Sequence, residues 1–192
     1  MAKNQVFELR GINHLALVCK DMARTVDFYT NVLGMPLIKT IDFPGGAGQH
    51  FFFDVGNGDS LAFFWFPDAP EAQPGVSAAA HLPLEGSIVS AHGSMNHVAF
   101  DVPEEKFDDY CAKLAARGVK VSHVLNHNDD DPQTTLDDET TGSTFVRSVY
   151  FTDPDGVVLE FACWTRALDP KRDALVPARD AQGRPKVAET VG

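Results

Sequence analysis

The feature that most narrows what this chain can fold into is an internal repeat. Gly11-Ile12-Asn13-His14-Leu15-Ala16-Leu17-Val18 returns 83 residues later as Ser94-Met95-Asn96-His97-Val98-Ala99-Phe100-Asp101. Both copies run small residue, large apolar residue, Asn, His, apolar, Ala, apolar. A repeat at fixed offset means two copies of one supersecondary unit, so the fold has to be read as a pair.

The elements around each copy follow the same order. Residues 11–19 alternate like a strand, and Asp21 stands as an N-cap before a helical stripe of Met22, Val26, Phe28, Tyr29, Val32 and Leu33. Gly34 and Pro36 stop that helix. Strands are predicted over 37–43, 49–55 and 59–66, the last two joined by the hairpin signal Gly56-Asn57-Gly58-Asp59. The second half repeats this with a strand over 95–102, Pro103 at the first helical position, and an apolar stripe of Phe107, Tyr110, Cys111, Leu114 and Ala115 closed by Gly118. A strand over 119–125 follows, then a hairpin of 144–152 and 157–164 turned by Asp153-Pro154-Asp155-Gly156. The chain thus divides into a first β-α-β-β-β module (1–66), a proline-containing linker (67–93), a second module (94–166) and a polar C-terminal tail (167–192) laid against a surface. The fold class is α+β. The acidic loop over 126–142 is a solvated segment or a lid.

Composition removes several classes of function. A formal net charge of −11 argues against nucleic acid and anionic membrane partners, both of which need basic patches. No apolar run is long enough to span a bilayer and the N-terminus lacks a signal-peptide core, so a cytoplasmic protein is expected. Three widely spaced cysteines, Cys19, Cys111 and Cys163, read as reduced structural thiols rather than a zinc site.

Strand periodicity picks out candidate functional residues. Residues two apart share a face, so His14 lies with Ile12 and Ala16, and His97 with Met95 and Ala99. Glu160 is the lone carboxylate in the apolar run Val157-Val158-Leu159-Glu160-Phe161-Ala162, and a buried carboxylate is costly unless paired or metal-bound. Arg147 and Arg166 are its alternative partners. Alanine follows each of His14, His97 and Glu160 by two residues, leaving open volume beside each candidate ligand.

These residues resemble the vicinal oxygen chelate superfamily, which includes glyoxalase I, epimerases, fosfomycin and bleomycin resistance proteins, and extradiol dioxygenases. The resemblance covers roughly residues 10–165. It rests on Asn13-His14-Leu15-Ala16, on Asn96-His97-Val98-Ala99-Phe100, and on Val149-Tyr150-Phe151-Thr152-Asp153-Pro154-Asp155-Gly156-Val157-Val158-Leu159-Glu160. It implies two tandem modules forming a cupped mixed sheet around one divalent metal, with His14, His97 and Glu160 as ligands. In glyoxalases and epimerases the last strand of the first module adds a fourth ligand. Ala62 stands at that position here. Two His and one carboxylate are the facial set of non-haem Fe(II) oxygenases, whose open positions take substrate and O₂.

The expected function is therefore extradiol-type cleavage of a small catechol-like aromatic, with Fe(II), or Mn(II) or another divalent metal, and O₂, in a homodimer. Tyr150 fits the tail of the extradiol signature as a catalytic hydrogen-bonding group. Two histidines of that pattern are replaced: none occurs in Thr140-Thr141-Gly142-Ser143-Thr144, and Asp59 stands where the acid/base histidine precedes Ser60-Leu61-Ala62. An ordinary Asp, with a pKa of about 3.9, is poorly matched to proton transfer at neutral pH. His50, His123 and His127 are substitutes, and Phe64, His50 and His123 are the candidate substrate-binding residues. The alternatives are a metal-dependent lyase, isomerase or resistance transferase, and a metal-free binding protein of the same superfamily.

Overall fold

The computed structural model describes residues 11–129 and 140–185. Its first module runs β1 (His14–Cys19), α1 (Met22–Asp27), β2 (Leu37–Asp42), β3 (Gln49–Gly56) and β4 (Asp59–Trp65). Its second runs β5 (Val98–Asp101), α2 (Phe107–Ala116), β6 (Leu125–Asn128), β7 (Thr144–Thr152) and β8 (Val158–Trp164). Each module closes one mixed four-stranded sheet, ordered β1-β4-β3-β2 and β5-β8-β7-β6. In both, the first and last strands are the parallel pair, and the other pairings are antiparallel.

Local chemistry accounts for most boundaries. The Asp21 side chain caps α1 by accepting from Arg24 N at 3.0 Å. A π turn over Phe28–Val32 continues the helix, and Gly34 leaves it at φ 77°. Asn57 and Gly58, at φ 54° and 85°, supply the two left-handed residues of the β3–β4 hairpin.

Three expectations shift. The strand expected over 95–102 is ladder-bonded only at Val98–Asp101, so His97 stands one residue ahead of it. Pro103 is not the first helical residue. It sits extended (ψ 133°) ahead of a 3-10 turn, Glu104–Lys106, that leads into α2. The strand expected over 119–125 forms at Leu125–Asn128 instead. Val119 and Val121 do bury apolar surface, as their alternation suggested. Ser122 replaces ladder pairing there: its N donates to Tyr150 O at 2.8 Å, and its Oγ accepts from Tyr150 N at 2.9 Å.

Linker residues 67–93 fold as turns on the second module. Ala79 and Leu82 bury against Leu125, Tyr150 and Val158, and Lys120 Nζ meets Glu85 at 2.9 Å. In the tail, a short helix α3 (Pro170–Asp173) is tied down by Arg166, which bridges Asp129 at 2.7 Å and Asp173 at 2.9 Å. Most of the acidic loop, 130–139, and the tail's last residues, 186–192, lie outside the described residues, and with them most of the suggested lid. Cys19, Cys111 and Cys163 are free thiols. No helix among the described residues is long and apolar enough to cross a membrane.

One core serves both modules. Leu15, Leu17, Cys19, Phe53, Leu61 and Phe63 of the first sheet join Phe100, Phe151 and Leu159 of the second, with Met22, Tyr29 and Leu114 from the helical segments. Tyr29 is fully buried, its ring 5.4 Å from Phe53 and 4.8 Å from Phe63. Each such aromatic contact adds about 0.5–1.5 kcal/mol beyond the burial itself. The helix-bearing faces of both sheets are therefore spent on this core, and the opposite faces point away from it.

The modules are also latched by Asp153. It is 6% exposed. Its Oδ1 accepts from Asp155 N (2.9 Å) and Val157 N (2.8 Å), and its Oδ2 accepts from Tyr29 Oη (3.2 Å) in the other module. Burial lifts the Asp153 carboxyl to about 6, against the pull of those donors. A raised carboxyl binds its proton more tightly in the folded state, so its stabilising contribution is complete below about pH 4 and is lost as pH rises through about 6. In urea titrations, the stability of the parent relative to Asp153→Asn is expected to fall across that window, by at most about 3 kcal/mol. A pH-independent difference would refute the assignment.

Candidate metal centre

Strand register decides what the two outward faces carry. On the first sheet, His14, Ala16 and Val18 of β1 lie beside Ser60, Ala62 and Phe64 of β4, and β3 adds His50, Phe52 and Asp54. On the second, Ala99 lies beside Glu160, Glu160 beside Tyr150, and Ala162 beside Ser148. The position of Ala62, read as a missing fourth ligand, falls on the same face as His14.

The second face holds the more organised constellation. His97 Nε2 lies 3.0 Å from Glu160 Oε2, while Glu160 is only 5% exposed. Tyr150 is buried and sets its ring edge-on to His97 at 5.7 Å. Burial pushes the Glu160 carboxyl upward, but hydrogen bonding and charge from His97, with help from Ser148 and Tyr150, bring it net below its ordinary value. Ser148 Oγ is wholly buried and acts on Glu160 at short range without a hydrogen bond of full geometry. Burial, together with the charge of Glu160, lifts the Tyr150 phenol to about 12. Its proton is thus held where it can be donated. His127 is half-buried, and burial lowers its pKa although Glu160 pulls the other way. Arg147 and Arg166, the alternative partners for Glu160, are engaged elsewhere: Arg147 with Asp108 at 2.9 Å and Arg166 with Asp129 and Asp173.

The first face is aromatic. His50 stacks on Phe64 with ring centroids 3.6 Å apart and planes 6° from parallel, and Phe66 continues the stack at 5.5 Å. Phe52 packs edge-on to both His50 (4.3 Å) and His14 (5.6 Å). No Lys or Arg occupies the outward positions of β1, β3, β4, β5, β7 or β8 among the described residues, but Lys39 of edge strand β2 pairs with Phe52 on the first face.

Of the residues singled out from the sequence, His97, Glu160 and Tyr150 come together, and His14, His50 and Phe64 share the other sheet's outward face. His14 does not join His97 and Glu160 within one chain: among the described residues, no three His, Cys, Asp or Glu side chains converge on one point. Asp59 takes no part in either face. It starts β4 out of phase with Ser60, its carboxylate beside Gly11. His123 is exposed ahead of β6.

Sequence reasoning gave no role to the two asparagines. Asn96 Oδ1 sits 2.9 Å from His97 Nδ1, and Asn13 Oδ1 sits 2.8 Å from His14 Nδ1. Their signal was in the repeat, which conserves Asn-His as a unit between the two copies. An Nδ1–H given to Asn leaves Nε2 as the basic atom, the usual arrangement for a ligating histidine. At His97 that atom faces a carboxylate oxygen, and two such atoms stay close only with a cation on or between them. Donors bound to one ion at right angles, at about 2.1 Å each, stand about 3.0 Å apart. The pair fits a divalent metal in spacing and chemistry, with room for a third ligand.

Comparison with known proteins shows the family. The family model of the Glyoxalase/Bleomycin resistance protein/Dioxygenase superfamily matches residues 11–161. Metallothiol transferase FosB of Lysinibacillus sphaericus is 28% identical over 153 residues, covering 80% of this chain and 82% of its own. The putative ring-cleaving dioxygenase MhqE of Bacillus subtilis is 23% identical over 147 residues, covering 70% of this chain but only 43% of its own. Among solved structures, the fosfomycin resistance protein FosX of Listeria monocytogenes, in complex with Mn(II) and sulfate, superposes with a TM-score of 0.51 at 20% identity, over 82% of this chain and 94% of that one. With a matched span running from the first Asn-His strand to the strand of Glu160, the chain belongs to the glyoxalase/bleomycin resistance/dioxygenase superfamily.

Proposed function

We propose that this protein is a divalent-metal enzyme that cleaves a small catechol-like ring with O₂, its metal held by His97 and Glu160 of one chain and His14 of a second copy. The observation that supports it best is the placement of an acid–base pair with Tyr150 on one outward face and an aromatic tier beside His14 on the other. In a homodimer, the first sheet of each copy lies over the second sheet of its partner. Val18 and Trp164, each 52% exposed in the single chain, are large apolar groups on those two faces that such a dimer covers.

The ion, Fe(II) or Mn(II), supplies Lewis acidity and a template for two oxygen donors and O₂. Everything else falls to side chains. The stacked His50, Phe64 and Phe66 give a planar ligand an apolar surface. Tyr150, whose phenol stays protonated, donates to an oxygen of the bound ring and fixes its orientation. Ala16, Ala99 and Ala162 leave space beside the ligands. Three ligands, with Ala62 in the fourth position, keep an open face for substrate.

A metal-dependent transferase or lyase is the second reading, favoured by the 28% identity to a metallothiol transferase. An anionic substrate such as a phosphonate calls for Lys or Arg in the cleft, and among the described strand residues Lys39, on edge strand β2 beside Phe52, is the one such cation placed on either outward face. A ring of low charge suits that face better.

Subunit complementation tests the shared site. His14→Ala and His97→Ala proteins alone are expected to lose tight Mn(II) binding. After unfolding and refolding together, about a quarter of the parent's sites should return, because each mixed dimer rebuilds one of its two sites. Loss in both variants with no recovery on mixing would eliminate sharing between chains. Oxygen uptake tests the chemistry: after anaerobic loading with Fe(II), at least one member of a catechol panel should drive O₂ consumption. Tyr150→Phe should lower kcat/KM for that catechol about 10- to 100-fold, the worth of one charge-assisted hydrogen bond. Full iron occupancy without uptake from any catechol would overturn ring cleavage and leave the metal site standing.

A further inference from the structure

Asn96 makes two kinds of contact at once. Its Oδ1 faces His97 Nδ1 at 2.9 Å, while its Nδ2 donates to the backbone carbonyl of Ile88 at 2.7 Å and to Ser90 Oγ at 3.3 Å. A carboxamide has a single oxygen, and a carbonyl can only accept. With the Asn96 NH₂ committed to Ile88 O, the amide cannot turn over, and its oxygen must be the atom presented to His97. That fixes Nδ1 as the protonated ring nitrogen and aims Nε2 at Glu160. Upstream, the linker is seated on the second module by Ala79 and Leu82 in the cluster with Tyr150, while Ile88 itself is 47% exposed. The repeat partner differs. Asn13 Oδ1 faces His14 in the same way, but among the described residues its Nδ2 has no hydrogen bond of this kind.

We infer that Asn96 is a positioning residue for the metal ligand His97, and that the linker between the modules, through the Ile88 carbonyl, decides which end of its amide faces the imidazole. The inference deepens the metal-site reading above and rests on it. Ile88 fixes the orientation of the amide, and Asn96 Oδ1 in turn orients the imidazole; an aspartate, with an oxygen at either end, needs only the second of these. Orienting hydrogen bonds of this type are worth about 10- to 100-fold in metal affinity.

Two substitutions separate the two sides of the amide. Asn96→Ala removes both contacts. Asn96→Asp keeps an acceptor for His97 Nδ1 and removes the donor to Ile88. Calorimetric Mn(II) titration and backbone hydrogen exchange of residues 86–92 are measured on the intact protein, with His97→Ala alongside. The expected pattern is about 10- to 100-fold weaker Mn(II) binding in Asn96→Ala, near-parental binding in Asn96→Asp, and faster linker exchange in both. If Asn96→Asp loses affinity as fully as Asn96→Ala, Asn96 only tethers the linker and the inference is overturned. It is equally overturned if Asn96→Ala binds like the parent while His97→Ala does not. If His97→Ala also binds like the parent, the fault lies in the metal-site reading itself.

Discussion

Both sheets give the same kind of face to one shared core, and the rest of the site follows from that. In a strand, burying Leu15, Leu17 and Cys19 forces His14, Ala16 and Val18 to the other side, and burying Leu159 does the same for Glu160. The core is thick with aromatic side chains from both modules, so neither sheet can turn over without exposing them. A repeat whose halves pack through their helix-bearing faces presents its two ligand faces outward, away from each other. The single chain thereby exhibits an acid–base pair on one face and an aromatic tier on the other, with no three ligands together among the described residues. On the proposed reading, a second copy joins them.

How much of this was legible in the residues depended on range. The Asn-His repeat, the lone Glu160, the Asp21 cap and the Asn57-Gly58 hairpin were readable because each is a local statement of backbone geometry or burial cost. The strand expected at 119–125 was misplaced because Val119 and Val121 alternate like a strand while Ser122 makes the contacts to Tyr150 that a ladder would make. Hydrophobic period reports burial, and it cannot tell backbone pairing from a side chain that imitates it. The placement of His14 apart from His97 was out of reach for a related reason. Periodicity says which residues share a face, but nothing in it says which faces of two modules will meet. The partner of Glu160 was open between arginine and histidine until the cations were seen to be held by Asp108, Asp129 and Asp173.

The roles of the asparagines were written in the sequence but needed coordinates to be understood. Side-chain amides are common ahead of strands, and only their distances to Nδ1 turn them into orienting groups. The same is true of the linker. Its prolines and lack of period mark it as irregular, yet it is seated by the buried Ala79 and Leu82 and meets Asn96 through the Ile88 carbonyl.

The two modules are therefore unequal in a way that suits division of labour. The second supplies the buried carboxylate, the held histidine and a phenol kept protonated by burial and by that carboxylate, all within one sheet and the segments flanking it. The first supplies one histidine hydrogen-bonded to its neighbouring asparagine and packed against Phe52, and a stacked aromatic surface. Charge placement follows the same line. A carboxylate in the second sheet needs a cation close by, and with the arginines engaged by surface acids, His97 is the basic side chain that meets it. On the proposed reading, a divalent ion would meet that electrostatic demand more fully than a proton can, because it could also bind the histidine of the first module.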